Sequence, residues 1–296
     1  MSFSITVKQQ LFDLSSPRVM GILNATPDSF FSGSRMQTEK EIAQRANQIV
    51  EEGGTMIDVG AFSTRPGADQ VSQEEEIIRL RRALAVVRKE QPDAVISVDT
   101  FRPEVAQMCV EEYGADIIND VSDGGLTGIA NVPLKPEPGE LPQMFHTVAR
   151  LGVPYILMSV QPTLRDVLLG FARKVSQLRT LGVKDIILDP GFCFGKTVED
   201  NYLLLNEMEK MQVLDLPTLV GVSRKSMIYK TVGGDADTAL AGDLGDVLDA
   251  DTALNGTTVL HTIALMKGAN ILRVHDVKEA VEVITLFNRT MSATTP

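Results

Sequence analysis

The stretch AVISVDTFRPEVAQMCVEEYGADIINDVS, residues 94–122, contains one complete strand–helix–strand repeat. Residues 94–100 form an apolar run of strand length, and 103–112 has helical periodicity with a proline in its first turn. A second apolar run follows at 116–122. Strands that are apolar on both faces are typical of parallel sheets covered by helices. The stretch therefore predicts an α/β protein with parallel strands.

The same repeat recurs along the chain of 296 residues. The predicted strands are 19–25, 55–61, 94–100, 116–122, 154–160, 185–191, 217–223 and 271–277. The predicted helices are 39–52, 73–89, 103–112, 144–151, 165–180, 198–210 and 257–266, with one more at the end of the chain. Eight such units predict a single domain with a closed (β/α)8 TIM barrel, whose core spans about residues 17–290. An open doubly wound sheet is the competing fold, but it would usually carry a glycine-rich turn where this chain has LNATPDSF.

Two segments interrupt the repeat and are predicted to be insertions. Residues 126–142, after the fourth strand, are rich in proline and glycine and predict a long loop. Residues 232–256, after the seventh strand, carry six aspartates among small residues. Their spacing fits a calcium-binding loop poorly, so a solvated insertion is the favoured interpretation.

The composition excludes several classes of protein. The net charge of −11 argues against nucleic acid as a partner. No stretch is apolar for the length of a membrane span, and the first residues lack the pattern of a signal peptide. Cys109 and Cys193 are far apart and lack metal-ligand spacing, so a cytoplasmic protein is expected.

Polar residues stand at seven of the eight predicted strand ends. Barrels of this kind carry their chemistry where the C-terminal ends of the strands meet. A single polar residue at a strand end could be a cap or a loop residue, but seven ends that converge on one face predict a ligand site. The residues are Asn24, Thr64, Arg65, Asp99, Thr100, Asn119, Asp120, Asp189, Ser223, Arg224, Lys225, Arg273, His275 and Asp276.

The cations of the last two strands predict that part of the ligand is anionic. Lys225 follows the seventh strand, and Arg273 and His275 end the eighth, which is the usual position of a phosphate in these barrels. A helix that begins after Ser226 would add free backbone N–H groups.

The acceptors of the middle strands predict that another part of the ligand is a heterocycle. Asp99, Asn119 and Asp189 suit a flat ring with an amino-pyrimidine edge, because a carboxylate accepts two parallel N–H bonds. An anionic leaving group beside such a ring predicts group transfer, catalysed mainly by stabilisation of charge.

Seven motifs resemble those of the dihydropteroate synthases and together cover most of the chain. In chain order they are GILNATPDSF, DVGAFSTRPGA, SVDT, IINDVS, LDPGFCFGK, GVSRKSM and RVHDV, one per strand. The resemblance implies a transferase of folate biosynthesis that is a target of sulfonamides. Such an enzyme condenses 6-hydroxymethyl-7,8-dihydropterin pyrophosphate with p-aminobenzoate and releases pyrophosphate. The resemblance also implies a homodimer.

The resemblance implies a role for each matching residue. The pterin would be held by Asp99, Asn119, Asp189 and Lys225. The pyrophosphate would be bound by Asn24, Thr64, Arg273 and His275, with Asn24 also a ligand of Mg²⁺. The p-aminobenzoate would be bound by Arg65, Pro66, Phe194, Arg224 and Ser226. The implied catalytic residues are Asp99, Lys225, Arg273 and His275, with Asp99 stabilising the cationic pterin methylene that remains when pyrophosphate has left.

The chain departs from the family pattern at two places. After the fifth strand the family usually reads close to MHMQG, whereas residues 158–162 here are MSVQP. Cys193 replaces a usual glycine, and it is interpreted as a packing residue rather than a nucleophile.

Two other functions share the pterin-holding residues. A pterin-binding methyltransfer domain would need a corrinoid protein as its partner and no pyrophosphate site, so SRKS, RVHDV and TPDSF disfavour it. A non-catalytic relative that binds pterin would retain binding and lack turnover.

Overall fold

The computed structural model describes residues 3–25, 39–62, 71–122, 140–232 and 250–293, with the side chains of 250–252 left out. Most of the two predicted insertions therefore lies outside the described residues. The same holds for Thr64, Arg65 and Pro66, whose predicted roles stay predictions.

Eight parallel strands form the barrel that the repeat predicts. They are β3 (Arg18–Asn24), β4 (Met56–Gly60), β5 (Val95–Asp99), β6 (Ile117–Asp120), β7 (Tyr155–Met158), β8 (Ile186–Asp189), β9 (Leu219–Val220) and β10 (Ile271–Val274). Each strand from β3 to β8 pairs with the next in chain order, β9 pairs with β10, and β10 pairs with β3. The remaining seam is closed by a parallel bridge between Leu188 and Thr218, where the Leu188 N–H donates to the Pro217 carbonyl at 2.9 Å. The predicted fold is confirmed.

A short antiparallel hairpin precedes the barrel and was not predicted. It consists of β1 (Ser4–Val7) and β2 (Gln10–Asp13). Ile5 and Val7 are buried in one cluster with the first residues of the barrel strands, so the hairpin covers the N-terminal end of the barrel. Lys8 and Gln9 form its turn with φ of 50° and 63°. Such a turn usually carries asparagine or glycine, and the absence of those residues hid the hairpin from the sequence analysis.

The helices surround the strands in the predicted order. They are α1 (Glu39–Glu51), α2 (Gln73–Glu90), α3 (Pro103–Tyr113), α4 (Gln143–Leu151), α5 (Leu164–Thr180), α6 (Val198–Glu207), α7 (Ser226–Val232), α8 (Ala250–Met266) and α9 (Val277–Ser292). The predicted helix 198–210 is α6 followed by a 3-10 helix, Met208–Leu214. A capping box of Thr197 and Asp200 fixes the start of α6.

The predicted C-terminal boundary of the insertion at 232–256 was wrong. Helix α8 begins at Ala250 rather than at 257. The aspartates of this segment suggested a loop, but Ala253 is buried and its carbonyl accepts a hydrogen bond from the Thr257 hydroxyl at 2.6 Å. Ala253 is therefore part of the helix, although the residues before it are polar.

The strands are buried on both faces, as the apolar runs predict. Their outward residues pack against the helices in one large cluster. At the N-terminal end of the barrel, the interior is filled by apolar residues of the strands and the hairpin. At the C-terminal end, the interior residues are polar, and Asp58 and Asn119 are buried there. The fold therefore leaves one polar end, where a ligand can bind. Within the described part of the chain, no helix has the length and apolar character of a membrane span.

Candidate active site

The strand register brings the predicted residues of β3, β5 and β6 to one level. Asn24 pairs with Gly60, Gly60 with Asp99, and Asp99 with Asn119. Gly60 carries no side chain, so nothing from β4 separates Asn24 and Asp99 at this level. These three predicted site residues therefore lie in one row at the C-terminal end of the barrel.

One guanidinium links two carboxylates at the centre of this end. The Nε of Arg273 lies 2.6 Å from Asp58 Oδ2, and its Nη2 lies 2.7 Å from Asp99 Oδ2. Asn119 Nδ2 donates to the same Asp58 oxygen at 3.1 Å. Burial raises the pKa of Asp99 to about 7; Arg273 opposes this effect, and the charge of Asp58 adds to it.

Asp58 is a site residue that the sequence analysis missed. Its signal was present, since it is the only charged residue within the otherwise apolar run of the second strand. It is fully buried. The Oδ1 atoms of Asp58 and Asn119 are buried and have no hydrogen-bond partner within the described part of the chain. Buried acceptors of this kind favour a ligand that presents N–H groups.

Asp189 and Lys225 form the opposite side of the site. Asp189 ends β8, is 7% exposed and accepts the Gly191 N–H at 2.8 Å. Lys225 Nζ donates to the Phe192 carbonyl at 2.6 Å and lies 4.6 Å from the centre of the Phe194 ring. Burial raises the pKa of Asp189, whereas Lys225 lowers it. Burial lowers the pKa of Lys225. The two groups therefore form a desolvated pair of opposite charge.

The loop after β8 packs on the altered end of the fifth predicted strand. Gly191 has φ of 69°, and a Cβ there would lie 2.0 Å from the Ser159 carbonyl oxygen. Lys196 Nζ donates to the carbonyls of Ser159, Gly191 and Phe194 at 3.1, 3.0 and 3.2 Å. Cys193 has φ of 65°, a conformation that favours glycine. The expected glycine would adopt this backbone conformation without strain.

The segment SRKS is tied to the end of β10. The Ser223 hydroxyl accepts the His275 N–H at 3.1 Å and lies 3.1 Å from His275 Nδ1. Arg224 Nε and Nη2 donate to the two carboxylate oxygens of Asp276 at 2.8 and 2.7 Å. Ser226 begins α7. The structure thus brings the predicted cations of the last two strands together. Asp276 fixes the guanidinium of Arg224, a contact that was not predicted.

The site offers few ligands to a metal ion. No group of three histidine, cysteine, aspartate or glutamate side chains is arranged to hold a metal within the ranges that the structure describes. Asn24 is partly buried and provides one amide oxygen. Mg²⁺ usually takes one or two ligands from the protein and the rest from substrate phosphates and water. The residues present therefore fit a magnesium ion that arrives with a phosphorylated substrate.

Comparison with known proteins shows that the chain is similar to one family of enzymes, both in sequence and in structure. Residues 20–275 match the model of the pterin binding enzymes. The dihydropteroate synthase of Escherichia coli (strain K12) is 38% identical over 298 residues, which cover 95% of this chain and 94% of that protein. The Yersinia pestis dihydropteroate synthase, solved as a complex with a sulfonamide drug, is 32% identical with a TM-score of 0.81 and covers 98% of this chain and 100% of its own. The Xanthomonas albilineans enzyme, solved with 4-aminobenzoic acid, is 29% identical with a TM-score of 0.82, over 99% of this chain and 100% of its own.

Proposed function

This chain belongs to the dihydropteroate synthase family of pterin binding enzymes, and from this premise we propose that it condenses 6-hydroxymethyl-7,8-dihydropterin pyrophosphate with p-aminobenzoate. The C–O bond between the pterin methylene and pyrophosphate breaks, and the electron pair leaves with pyrophosphate. The amine nitrogen of p-aminobenzoate then bonds to the methylene carbon and loses a proton. The enzyme is a transferase of folate biosynthesis.

The buried acceptors at the polar end of the barrel carry this proposal. The pterin ring presents an amino-pyrimidine edge of N–H donors. The Oδ1 atoms of Asp58 and Asn119, which have no hydrogen-bond partner among the residues that the structure describes, are acceptors for such donors. Asp189 adds a carboxylate, and Lys225 adds a donor for an acceptor atom of the ring. A buried donor or acceptor left without a partner costs about 1–3 kcal/mol, so a matching ring is favoured over other flat molecules.

The charge of the pocket suits a cationic intermediate. Three carboxylates (Asp58, Asp99 and Asp189) face two cations (Arg273 and Lys225), so the fully ionised set has one excess negative charge. Burial raises the pKa of Asp99 to about 7. A positive charge on the pterin methylene would lower this pKa and so favour the ionised carboxylate, which stabilises that charge. Stabilisation of developing charge by fixed groups is the expected main source of catalysis.

The pyrophosphate is proposed to lie at the ends of β3 and β10. Asn24, Arg273 and His275 belong to these two neighbouring strands or follow them directly, and Thr64 would join them from the segment outside the described residues. Magnesium, when bound at Asn24, would neutralise the charge of the leaving pyrophosphate. The Ser223 hydroxyl contacts both the backbone N–H and the ring Nδ1 of His275. These contacts fix the ring relative to the segment that follows β9.

The p-aminobenzoate is proposed to bind next to SRKS, together with sulfonamides. The Yersinia pestis relative was solved with a sulfonamide drug, and the Xanthomonas albilineans relative with 4-aminobenzoic acid. Phe194 and Ser226 would contact the ring and the carboxylate, and Arg224 is held in place by Asp276. Arg65 and Pro66 would complete this subsite from outside the described residues.

We also propose that the enzyme is a cytoplasmic homodimer. Both cysteines are free thiols, which is usual in a reducing compartment. Among the α8 side chains that the structure describes, from 253 onward, the exposed ones are Asn255, Val259, Thr262 and Met266, none of which is charged. Val259 is 50% exposed and Met266 69% exposed, so this face offers two large apolar side chains to a second copy of the chain.

The test is turnover by the purified protein. Incubation with 6-hydroxymethyl-7,8-dihydropterin pyrophosphate, p-aminobenzoate and Mg²⁺ should give dihydropteroate and pyrophosphate, measured by chromatography. The Asp189→Ala variant serves as the negative control, since it removes a buried acceptor of the pterin. Pterin binding without any product would instead identify a non-catalytic relative.

A further inference from the structure

Arg45, on helix α1, is a buried cation for which the proposed mechanism has no use. It is 5% exposed, although it stands on a helix that faces solvent on its other side. Its Nε donates to the Ile22 carbonyl at 3.1 Å, its Nη2 to the His275 carbonyl at 2.6 Å, and its Nη1 to Gln48 Oε1 at 3.1 Å. Burial lowers the pKa of Arg45, while Glu52 and Asp276 raise it.

The two carbonyls that Arg45 binds lie just beyond the ladder between β3 and β10. That ladder ends with the pair Gly21 and Val274. Ile22 and His275 are the next residue of each strand. Ile22 is still fixed on its other side, because it pairs with Asp58 of β4. His275 has left the ladder, and Arg45 connects its carbonyl to the fixed strand.

The sequence allows α1 to approach close enough for this contact. A Cβ on Gly21 would lie 2.6 Å from Ile49 Cγ2, so any larger residue at position 21 would push the helix away from β3. Ile49 lies one helical turn after Arg45, on the same buried face of α1. The guanidinium fork then spans two carbonyls, which a single ammonium group does not do with the same geometry.

We propose that Arg45 is a positioning residue for the pyrophosphate subsite, because it fixes the main chain of His275. The proposal rests on the proposed function, in which His275 contacts the phosphates. The imidazole is held from the other side by Ser223, so the ring of His275 is oriented between two anchors, and Arg45 provides one of them. Arg273 would be less affected, since it lies inside the ladder, paired with Met20.

The experiment compares two ligands that differ only in the pyrophosphate. Calorimetry measures the affinity for 6-hydroxymethyl-7,8-dihydropterin pyrophosphate and for the alcohol without pyrophosphate, in the presence of Mg²⁺. In Arg45→Met, the preference for the pyrophosphate form should fall by about tenfold or more, since small displacements of binding groups have effects of this size. The affinity for the alcohol should stay within about twofold. An unchanged preference would overturn the proposal.

Two further variants separate position from charge and from folding. Arg45→Lys keeps the charge and loses the fork, so it should behave like Arg45→Met, and full recovery of the preference would show that only charge matters. If Arg45→Met does not fold, the preference of Arg45→Lys for the pyrophosphate form tests the proposal instead. Arg88→Met is the matched control: Arg88 donates to the Tyr113 and Ala94 carbonyls at 3.1 and 2.7 Å at the opposite end of the strands. It should lower the melting temperature and leave the preference unchanged.

A double variant tests whether Arg45 acts through His275. If it does, Arg45→Met should weaken pyrophosphate binding no further once His275→Ala is present, because groups that act together are not additive. Additive losses would overturn the proposal. A wild-type protein without any preference for the pyrophosphate form would instead contradict the proposed function itself.

Discussion

Arg273 binds two carboxylates with one guanidinium, and its single positive charge is shared between them. Asp58 is fully buried and Asp99 has a side chain that is 18% exposed. One cation cannot fully compensate both charges, and burial of this part of the site favours the protonated form of Asp99. The pKa of Asp99 is accordingly raised from 3.8 to about 7, chiefly by burial.

This raised pKa predicts how stability depends on pH. Between about pH 4 and pH 7 the folded protein holds a proton on Asp99 that the unfolded chain releases. Asp99 therefore stabilises the fold at low pH, and this contribution is lost as the pH rises towards 7. The upper limit is about 4 kcal/mol, from a difference of about 7 minus 3.8 at about 1.36 kcal/mol per unit.

The measurement is the free energy of unfolding in urea at pH 5 and pH 8, for the wild type and for Asp99→Asn. The asparagine cannot ionise, so the loss of stability between the two pH values should be smaller in the variant. Identical pH dependence in both proteins would show that Asp99 is already ionised at pH 5.

Lys225 and Ser226 are neighbours with separate predicted partners. Lys225 Nζ lies against the Phe192 carbonyl and the Phe194 ring, close to the proposed pterin, whereas Ser226 starts α7 beside the proposed p-aminobenzoate. Lys225→Ala should weaken pterin binding, measured by calorimetry. Ser226→Ala should raise the Michaelis constant for p-aminobenzoate and change pterin affinity little. If both constants stay within about twofold in both variants, under 0.5 kcal/mol, neither residue contacts a substrate.

Helix α2 is joined to the loops beside it by a buried ion pair. Glu76 is fully buried on α2 and accepts hydrogen bonds from Arg102 and from the Thr100 hydroxyl, the latter at 2.7 Å. Arg102 Nη2 donates to the Val71 carbonyl at 2.7 Å, and its guanidinium lies 5.5 Å from the centre of the Phe62 ring. Phe62 and Val71 stand on either side of residues 63–70 in the chain, so one cation contacts both of these flanking residues.

Removal of Arg102 should therefore destabilise the protein strongly. In Arg102→Met, Glu76 would be left as a buried carboxylate without its cation, and breaking a buried pair in this way costs about 3–5 kcal/mol. Burial already raises the pKa of Glu76, so the loss should be greater at pH 8 than at pH 5. Urea unfolding at the two pH values measures both effects.

The exposed pair of Arg81 and Glu112 provides the control. Its side chains are 48% and 46% exposed, so Arg81→Met should change stability far less than Arg102→Met. The double variant Arg102→Met/Glu76→Gln should recover part of the loss, since it no longer buries an unpaired charge. Equal effects of the two single arginine variants would mean that burial does not determine the strength of the Arg102 pair.

The whole molecule carries a net charge of −11, yet the exposed side chains of α8 that the structure describes, from 253 onward, are uncharged. Two copies of this chain would repel each other over most of their surfaces, and the uncharged face is where they could approach at the least cost. The proposed homodimer therefore depends on the apolar side chains of α8 and on screening of the remaining charge by salt.

Light scattering at micromolar concentration should give twice the mass of the chain. Met266→Asp adds a charge to the proposed interface and should give the mass of a single chain. Leu11→Asp, at a residue of the hairpin that is 78% exposed, adds the same charge away from α8 and should leave the mass unchanged. A single-chain mass for the wild type would contradict the proposed dimer.

The barrel and most of the residues at its polar end could be predicted from the amino-acid sequence. Apolar runs and helical periods are local signals, and eight repeats of them are compatible with few folds. Because every strand of a parallel barrel ends on the same face, Asn24, Asp99, Asn119 and Asp189 could be assigned to one site without knowledge of their contacts. Asp58 was missed because it lies inside its strand, two residues before the end.

Which of these groups bind one another depends on how the chain folds. Arg273 reaches Asp58 and Asp99 across 215 and 174 residues of chain, and Arg45 reaches His275 across 230. Such partners are set by register, by the approach of α1 over Gly21 and by the direction of each side chain, none of which is a local property of the sequence. The hairpin over the barrel and the start of α8 were likewise decided by packing, because burial against distant strands outweighs the preferences of a few neighbouring residues.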